Sequence, residues 1–462
     1  MSADEGLRRS LTARQLAMIA TGGAIGVGLF LGSTVTIGQA GPAVILSYLI
    51  GAAISLIVAY ALAEMAVVHP LAASFGVIAE TYLSPWFGFV VRATYGFIQV
   101  LAIGAEVTAI AIYCAFWYPS APPWLWVVAA SAALILINTM RVRWFGEIEY
   151  WLAIVKVAAI LAFIAIGLGL VAGIGPAPAI GLRNLVSGSG GFLPHGWTGV
   201  WLALTLVITS YMGVEIVAIT AGEAANPADS IPRAMRTMVF RLILFYVLAI
   251  AVMLMMTPWN RVSEGGGITG SPFVRAFSAA GIPYAASLMN LVVISAAFSS
   301  ANTNLYSTTR MLFSLSRSGY APAWVGRVTS GGVPLQALAI AGSGMVIATL
   351  LALISPEKGF FWLFGTAVAG MLFIWVVILV AYLAFRSALP IEERVRLPIR
   401  LWAPRLLAPL AIAALVAIAI TTFFVDGLRY TVPSFLPFLA VISIPYARAR
   451  YRNGALHVQT QR

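Results

Sequence analysis

Long apolar runs alternate with short polar segments along the whole of this 462-residue chain. A helix of about 20 apolar residues crosses the roughly 30 Å hydrocarbon core of a bilayer. Twelve runs of about this length are present, and each predicts one membrane-spanning helix. They cover residues 15–38, 42–68, 86–118, 123–140, 148–174, 198–222, 237–258, 282–315, 335–354, 360–386, 405–424 and 432–448. The pattern therefore predicts an all-α polytopic membrane protein.

The composition supports this prediction, because 61% of the residues are hydrophobic, 9% are charged and the mean hydropathy is +0.96. A soluble protein could not keep its surface hydrated with so few charges. The formal net charge of +12 does not indicate nucleic-acid binding, because membrane proteins retain basic residues in their cytoplasmic loops. Of the 27 Lys and Arg residues, 21 fall on the side of the two termini and five on the opposite side. Both termini are therefore predicted to be cytoplasmic.

The residue types that usually bind metals or act as nucleophiles are rare in this chain. Cys114 is the only cysteine and lies inside an apolar run, while His69, His195 and His457 are far apart in the sequence. A disulfide framework and a thiolate metal site are therefore excluded, and a histidine-based site is not expected. No catalytic residue, metal or cofactor is predicted.

The polar segments between the runs are short, so no sizeable soluble domain is predicted. The first run lacks a convincing signal-peptide cleavage site and is interpreted as a retained span. The expected divisions are a cytoplasmic N-terminal tail at 1–14, two five-helix repeats at 15–174 and 198–386, a cytoplasmic loop at 387–404, two further helices at 405–448 and a cytoplasmic C-terminal tail at 449–462.

The first apolar run contains four glycines within seven positions, in the stretch Thr21–Phe30. Each glycine costs about 1 kcal/mol relative to alanine in a helix interior, so an unwound segment is predicted here. Unwound backbone at membrane depth is tolerated only where it faces protein or a water-filled cavity. The stretch is therefore a candidate binding site, although glycines that only allow tight helix packing would give the same pattern.

A second interruption is predicted in the sixth run, where Trp201–Glu215 contains polar residues, a glycine and an acid. The first and sixth runs correspond if runs one to five and six to ten form two repeats of opposite membrane orientation. Paired interruptions of this kind indicate the midplane site of a transporter. A broken helix exposes an N-terminal end that suits a carboxylate and a C-terminal end that suits an ammonium group. Two such breaks could bind the head group of an amino acid through the main chain.

Two ionisable residues lie well inside predicted spans. Lys156 is in the fifth run, about 13 Å deep at 1.5 Å per residue, and burial of an unpaired lysine favours its neutral form. It could therefore carry a proton during transport, or it could stay charged by bonding to carbonyls of the first run or by reaching the interface. Glu106, in the third run, could line the same route or pair with another buried polar group.

Polar residues in the eighth run could face Lys156, although serines that bond to carbonyls of their own helix are an alternative. They are Ser295, Ser299, Ser300, Asn302 and Asn304. Acids near predicted cytoplasmic ends are expected to be solvated or to act in gating, and these acids are Glu64, Glu147, Glu149 and Glu223. Glu215, at the second interruption, is a further gating candidate.

Several of these motifs occur together in a known family. Residues 22–30, GGAIGVGLF, resemble the first-span motif of the amino acid-polyamine-organocation (APC) permeases. Further matches lie at 63–65, 70, 74–75, 211–215, 221–227, 231–234, 299–302 and 307–312. The ordered set is similar to the amino acid transporter branch, which contains the aromatic amino acid, phenylalanine, GABA and D-serine/alanine/glycine permeases. The resemblance extends over nearly the whole chain.

This resemblance implies two inverted five-helix repeats of the LeuT-like type, with discontinuous first and sixth helices and two additional C-terminal helices. It also implies roles for individual residues. The substrate carboxylate is expected at Gly22, Gly23, Ala24, Ile25 and Gly26, and the amine at the main chain of Thr209, Ser210 and Tyr211. Proton coupling is expected at Lys156, which takes the place of a sodium ion beside Ser299 and Ser300, and at Glu106, an acid that only some members carry.

The expected function is import of an amino acid across the bacterial cytoplasmic membrane by proton symport with alternating access. The partners would be the amino acid, a proton and the lipid bilayer. An amino acid exchanger or a polyamine carrier is the alternative within transport. A non-transporting nutrient receptor or a membrane-embedded enzyme is the alternative from another class. The substrate side chain stays open, because a main-chain site recognises only the head group, and the candidates for its pocket are Gly104, Tyr211 and Ser300.

Overall fold

The structure of the protein, a computed structural model, describes most of the chain. The described residues are 12, 14–15, 18–19, 25–26, 28–70, 74–140, 142–174, 179–187, 190–219, 226–263, 273–274, 284–354, 356–425, 428–429 and 431–459. Within these ranges the regular structure is helical and contains no strand. An all-helical architecture satisfies the backbone polar groups of apolar segments inside each helix, which agrees with the sequence prediction.

The described α-helices overlap the predicted apolar runs and also include short helices between the runs. They are α1 (Ser33–Ala40), α2 (Val44–Val68), α3 (Ser74–Tyr82), α4 (Pro85–Cys114), α5 (Pro123–Thr139), α6 (Val142–Ala172), α7 (Arg183–Val186), α8 (Gly196–Ser210), α9 (Ile216–Ile219), α10 (Pro227–Ile243), α11 (Ala249–Met256), α12 (Trp259–Ser263), α13 (Ala285–Arg317), α14 (Leu335–Ala341), α15 (Ser343–Ile354), α16 (Pro356–Ala388), α17 (Ile391–Arg396), α18 (Pro404–Thr421) and α19 (Thr431–Gln459). Two π-helical segments, Gly28–Gly32 and Leu244–Leu248, precede α1 and α11.

Six helical segments of the described chain are long and apolar enough to cross a membrane. They are Ser33–Val68, Pro85–Cys114, Arg143–Ala172, Leu335–Ile354, Ala367–Ala388 and Pro404–Phe424. Shorter apolar helices are present at Pro123–Thr139, Gly196–Ser210, Leu244–Met256 and Phe435–Ala447. Helix α13 is long enough to span, but its Ser, Thr and Asn residues lower its hydropathy. The described chain is therefore consistent with a multi-pass membrane protein.

A tight turn, rather than a polar loop, connects the first two predicted spans. Helix α1 ends at Ala40, and the 3₁₀ turn Gly41–Ala43 leads directly into α2. The backbone of Gly41 has a φ of +62°, and an added Cβ would lie 2.3 Å from Cγ of Pro194. Only glycine fits both the left-handed conformation and this close approach.

Helix α4 lies at the centre of the helical packing. Its main neighbours are α13 and α16, and it also contacts α3, α5 and α15. The side chains of Tyr95, Ile98 and Ile103 on α4 are buried in the main hydrophobic core. The Gly28–Gly32 segment and α1 pack against α8. The elements that contain the two predicted interruptions are therefore neighbours.

Candidate functional site

The interruption predicted in the sixth run is confirmed. Helix α8 ends at Ser210, residues 211–215 form turns, and helix α9 begins at Ile216. Gly213 has a φ of +106°, a conformation that side chains other than glycine rarely adopt. The buried carboxylate of Glu215 accepts hydrogen bonds from the N–H of Gly213 at 3.1 Å to each of its oxygens. Glu215 therefore holds the turn together from inside the protein, and its gating role stays a prediction.

The interruption predicted in the first run is described only in part. Gly22, Gly23 and Ala24 lie outside the described residues. Ile25 and Gly26 form a bend, and the π-helical segment Gly28–Gly32 follows. Short π-helical segments are frequent at functional sites. Residues 14–15 and 18–19 are α-helical, and after the bend and the π-helical segment the α-helix continues from Ser33, as expected for a span that is not a continuous α-helix.

The glycines of the first interruption lie against the second interruption and against α4 and α13. A Cβ added to Gly28 would lie 3.2 Å from Cα of Ser210. A Cβ added to Gly26 would lie 2.5 Å from Oγ of Ser300 and 2.7 Å from Oε1 of Glu106. The two separations at Gly26 are shorter than real Cβ atoms show, and the separation at Gly28 is tight enough that Ser210 would have to shift slightly. The absence of a side chain at both glycines therefore permits this close packing.

A small cavity lies where these elements meet. Its walls are formed by Gly26, Gly28, Gln99, Ala102, Glu106, Thr209, Ser210, Met212, Gly213, Ser300 and Asn304. The cavity volume is about 40 Å³, which is enough for a few water molecules and far below the volume of pockets that enclose drug-sized ligands. An amino acid would therefore fit only after the walls move apart.

The two ends of helical backbone at this cavity have opposite polarity. The helical segment that starts at Gly28 directs its N-terminal end to the cavity, and α8 directs its C-terminal end there at Ser210. Helix N-termini carry a partial positive charge and C-termini a partial negative charge. The carboxyl group of Glu106 is an additional acid in the wall. The cavity wall therefore contains a partly positive and a partly negative helix end, together with one acid.

Lys156 is fully buried beside the first interruption. Its ammonium group donates a hydrogen bond to the carbonyl oxygen of Ile25, with an Nζ–O distance of 3.1 Å. The charges of Glu149 and Glu106 both act on it. Bonding to a carbonyl of the first run was one of the expectations for this lysine, and it is the one observed. The Lys156 side chain does not extend to the membrane interface, because it has no exposed surface.

Glu149 and Glu64 were expected to be solvated or to act in gating; both are buried, so the solvated alternative is wrong and the gating role stays a prediction. Glu149 has no exposed surface and accepts hydrogen bonds from Oγ of Ser299 and from Nδ2 of Asn302, the latter at 3.0 Å. The predicted fifth run began at residue 148, whereas α6 begins six residues earlier, at Val142. Glu149 therefore lies in the second turn of a packed helix, not at a free end.

Glu64 is also fully buried. Its carboxylate pairs with Arg386 and accepts hydrogen bonds from the Tyr382 hydroxyl at 2.7 Å and the Leu401 N–H at 3.1 Å. Sequence alone could not show this, because its partners are more than 300 residues away. Glu147 is exposed by 37%, as predicted, and Glu223 lies outside the described residues.

The structure divides the polar residues of the eighth run among different partners. Ser300 and Asn304 line the cavity. Ser299, expected beside Lys156, donates to Glu149, and Asn302 does the same. Ser295 Oγ donates to the carbonyl oxygen of Val292 at 2.7 Å, so the alternative of bonding within the helix is confirmed for this serine.

Two of the three candidates for a side-chain pocket are not in the cavity wall. The Tyr211 hydroxyl donates to the carbonyl oxygen of Tyr48 at 2.8 Å, and the Tyr211 ring packs 4.9 Å from the ring of Tyr246. Gly104 lies on α4, and its carbonyl oxygen accepts a hydrogen bond from Oγ1 of Thr108 at 2.8 Å. Ser300, the third candidate, is in the wall, as are Thr209 and Ser210.

Gln99 lines the cavity but was not predicted from the sequence. Its amide nitrogen donates to the Tyr95 hydroxyl at 2.8 Å and to Oδ1 of Asn304 at 3.2 Å. Residues seven apart lie on the same face of a helix, so the spacing between Gln99 and Glu106 was a usable signal. Ala102 and Met212, the other unpredicted wall residues with side chains, are apolar and carry no such signal.

Comparison with known proteins gives a consistent result. A family model described as "Amino acid permease" matches residues 15–462. The chain is 39% identical over 393 residues to the "Uncharacterized amino acid permease YtnA" of Bacillus subtilis, covering 85% of this chain and 84% of that protein. It is 36% identical over 425 residues to a "Gamma-aminobutyric acid permease" of Bacillus subtilis, covering 92% and 90%. It is 39% identical over 384 residues to the "Aromatic amino acid transport protein AroP" of Salmonella typhimurium, covering 83% of each.

Proposed function

Because this chain belongs to the amino acid permease family, we propose that it imports an amino acid by proton symport with alternating access. Membership of the family supports amino acid transport and a cell membrane location. Proton symport with alternating access is supported by one observation: both interrupted segments meet Glu106 and Ser300 around one cavity, beside the buried Lys156.

The proposed architecture has twelve spans, of which the first ten form two inverted repeats, with both termini in the cytoplasm. Six described helical segments are long and apolar enough to cross a membrane, and shorter apolar helices accompany them, which supports a multi-pass arrangement. The excess of Arg on the side of the termini supports the proposed orientation. Interruptions in the first and sixth spans are expected of such repeats, because each repeat contributes one broken helix to a shared site.

In the proposed mechanism the substrate binds between the two interruptions. Its carboxylate faces the main chain of residues 22–26, where the following helical segment presents its N-terminal end. Its ammonium group faces the C-terminal end of α8 at Thr209 and Ser210, and the side chain of Ser300 contacts the substrate from α13. The cavity is too small for this ligand as it stands, so opening of the walls accompanies binding and release.

Lys156 couples transport to protons in this proposal. Its hydrogen bond to the Ile25 carbonyl joins α6 to the first interruption when the lysine is protonated. Loss of the proton weakens this link, because a neutral amine lacks the charge that strengthens the bond. The position of the first interruption therefore depends on the protonation of Lys156, and Glu106 extends the proton route toward the cavity.

Uptake by purified protein in liposomes tests the mechanism. Accumulation of substrate should follow an imposed proton gradient and should not change when a sodium gradient is added. Accumulation that requires sodium and ignores the proton gradient would contradict proton symport. Rapid counterflow without any uptake driven by a gradient would identify an exchanger instead. Binding in detergent without movement across liposomes would identify a receptor.

A thermal-shift screen would identify the substrate before the liposome experiment. A ligand that binds the native state raises the melting temperature, and the rise grows with the logarithm of its concentration relative to its Kd. The twenty amino acids and γ-aminobutyric acid form the panel, since relatives are named for γ-aminobutyric acid and for aromatic amino acids. Polyamines serve as the test of the alternative carrier.

A further inference from the structure

A second pocket lies away from the transport cavity, between the end of α16 and the start of α18. Its volume is about 660 Å³. The walls are Leu383, Arg386, Ser387, Arg394, Ala403, Pro404, Arg405 and Leu406. Three of these side chains are arginines and none is acidic. The pocket lies on the side that the arginine distribution predicts to be cytoplasmic.

The three arginines differ in how their charge is balanced. Arg386 pairs with the buried carboxylate of Glu64, which neutralises it and fixes its position. Arg394 donates from Nε to the carbonyl oxygen of Leu389 at 2.6 Å, and a carbonyl orients a guanidinium group without cancelling its charge. Arg405 is exposed in the first turn of α18. The pocket therefore retains about two positive charges from Arg394 and Arg405.

The start of α18 adds to this positive field. The helix begins at Pro404, and its N-cap residue Ala403 makes no side-chain capping bond. Ala403, Pro404 and Arg405 are all wall residues, so the positive end of the helix dipole is part of the pocket. Glu392 and Glu393 are exposed at the start of α17 but are not wall residues.

One side of the pocket continues into the lipid-facing surface of α18. Leu406 is a wall residue and is 65% exposed, and Leu410, one turn further along, is 60% exposed. Val416 and Ile420 continue the same exposed apolar face along the helix. Trp402, beside the pocket, is 81% exposed, as expected for an aromatic residue at the membrane interface. In a bilayer this exposed apolar face would contact acyl chains, so the pocket would border lipid as well as water.

We propose that this pocket binds the phosphate group of an anionic phospholipid. Arg394 and Arg405 contact the phosphate from two sides, because guanidinium groups match the geometry of phosphate oxygens. The acyl chains lie along the exposed face of α18 that starts at Leu406. A basic pocket between helices at the cytoplasmic surface is suited to such head groups. The apolar exit distinguishes this ligand from a soluble phosphate.

The test is binding of short-chain lipids to the delipidated full-length protein in a neutral detergent. The probes are dioctanoyl phosphatidylglycerol, dioctanoyl phosphatidylcholine and inorganic phosphate. Melting temperature gives the apparent affinity, and native mass spectrometry gives the number of bound lipids. We expect phosphatidylglycerol to bind about tenfold or more tightly than phosphatidylcholine, because each arginine contributes about 1 kcal/mol to attraction of an anionic lipid. Inorganic phosphate alone should give no comparable rise in melting temperature.

Two double variants are compared: one replaces two arginines of the pocket wall, and the other replaces two arginines outside it. Arg394→Gln with Arg405→Gln should weaken phosphatidylglycerol binding by about tenfold or more. Arg396→Gln with Arg400→Gln removes the same charge from the same loop at exposed positions that are not pocket walls, and it should stay within about twofold of the unmodified protein. If the first pair disturbs folding, Arg405→Gln alone should weaken binding by about fivefold.

Three results would overturn the proposal. If both double variants lost the same amount of phosphatidylglycerol affinity, the lipid would be attracted by the whole basic surface and not by this pocket. Equal binding of the two lipids would show that the head-group charge is irrelevant. Stabilisation by inorganic phosphate equal to that by phosphatidylglycerol would identify a soluble anion as the ligand. None of these results depends on transport, so the test is independent of the proposed function.

Discussion

The ammonium group of Lys156 on α6 lies 3.1 Å from the carbonyl oxygen of Ile25 in the first interruption. A hydrogen bond from a charged donor contributes about 1.5–3 kcal/mol, and this one joins a regular helix to backbone that is not regular helix. Among the described residues, Lys156 is the lysine that is buried within a predicted span, and this bond connects it to the segment that is proposed to bind substrate.

Replacement of Lys156 by methionine should separate substrate movement from the proton gradient. Lys156→Met removes the charged donor to Ile25, so we expect accumulation driven by a proton gradient to fall by about tenfold or more. Counterflow in liposomes should be less affected, because it needs no proton. Val155→Leu, next to it on the lipid-exposed side of α6, is the control and should transport normally. Proton-driven accumulation that survives in Lys156→Met would remove the lysine from the mechanism.

Two glycines of the first interruption provide a matched pair for the cavity. Gly26→Ala would place a Cβ 2.5 Å from Oγ of Ser300 and 2.7 Å from Oε1 of Glu106, whereas a Cβ at Gly32 would have no atom within 4 Å. We therefore expect Gly26→Ala to abolish the thermal shift caused by substrate and to stop uptake. Gly32→Ala should keep both. Similar losses in the two variants would show that backbone flexibility, rather than space in the cavity, is what these glycines supply.

Two acids on α6 provide a matched pair that tests the buried contacts of Glu149 with Ser299, Asn302 and Lys156. Glu149 is buried and its charge acts on Lys156, whereas Glu147 is 37% exposed and pairs weakly with Arg14 at 3.6 Å. Glu149→Gln should lower proton-driven uptake by about tenfold, the effect of a lost buried charge interaction of about 1.4 kcal/mol. Glu147→Gln should stay within about twofold. Uptake rates at equal amounts of reconstituted protein give the comparison, and equal rates in the two variants would contradict the prediction.

The buried guanidinium group of Arg92 should contribute strongly to stability. It pairs with Glu80 and donates to Oγ of Ser314 at 3.1 Å and Oγ of Ser318 at 2.9 Å. Removing one partner of a buried ion pair costs about 3–5 kcal/mol in free energy of unfolding. Because Glu80 is partly exposed, we expect a cost near the lower end of this range. Arg92→Met should therefore lower the melting temperature in detergent by several degrees.

The control for Arg92 is a surface ion pair. Arg14 and Glu147 are exposed by 60% and 37%, and such pairs contribute about 0–1 kcal/mol. Arg14→Met should leave the melting temperature nearly unchanged. If Arg14→Met lowered the melting temperature as much as Arg92→Met, the loss of any arginine would lower stability, and the buried contacts of Arg92 would not be the cause.

His69, just beyond the end of α2, should make stability depend on pH. Its Nε2 lies 2.8 Å from the Tyr82 hydroxyl, and burial lowers the pKa of His69 below its ordinary value of 6.5. The folded protein therefore binds this proton less readily than the unfolded chain. Stability from this group is present above pH 6.5 and is lost as the pH falls through the lowered pKa.

Melting temperatures at pH 7.5 and pH 5.0 check the role of His69. The unmodified protein should lose more stability between these values than His69→Gln, which keeps a polar group beside Tyr82 but cannot titrate in this range. An identical pH dependence in both proteins would show that other groups cause the acid destabilisation.

The order of the helices could be predicted from sequence because membrane spans depend on local composition. An apolar run in hydrocarbon satisfies its backbone polar groups by forming a helix, so described helices overlap the predicted runs. The bounds were less predictable, because α6 begins six residues before its run and α8 ends twelve residues before the end of its run. The interruption at residues 211–215 was equally local, since Gly213 and the polar residues around it lie together in the chain. Glu106, Ser210 and Ser300 were recognised because polar groups in an apolar span are rare.

The partners of the buried polar groups were decided only by tertiary structure. Glu149 and Glu64 were predicted to be solvated or to act in gating because they lie near the ends of apolar runs, and both are buried against partners 150 or more residues away. Tyr211 turns from the cavity toward Tyr48 on α2, a contact that helix packing determines. Hydrophobic patterns fix which segments become helices, but the direction of a side chain depends on the neighbours that packing brings to it. The sequence thus determined the helices and one interruption, while packing decided which polar groups meet in the cavity.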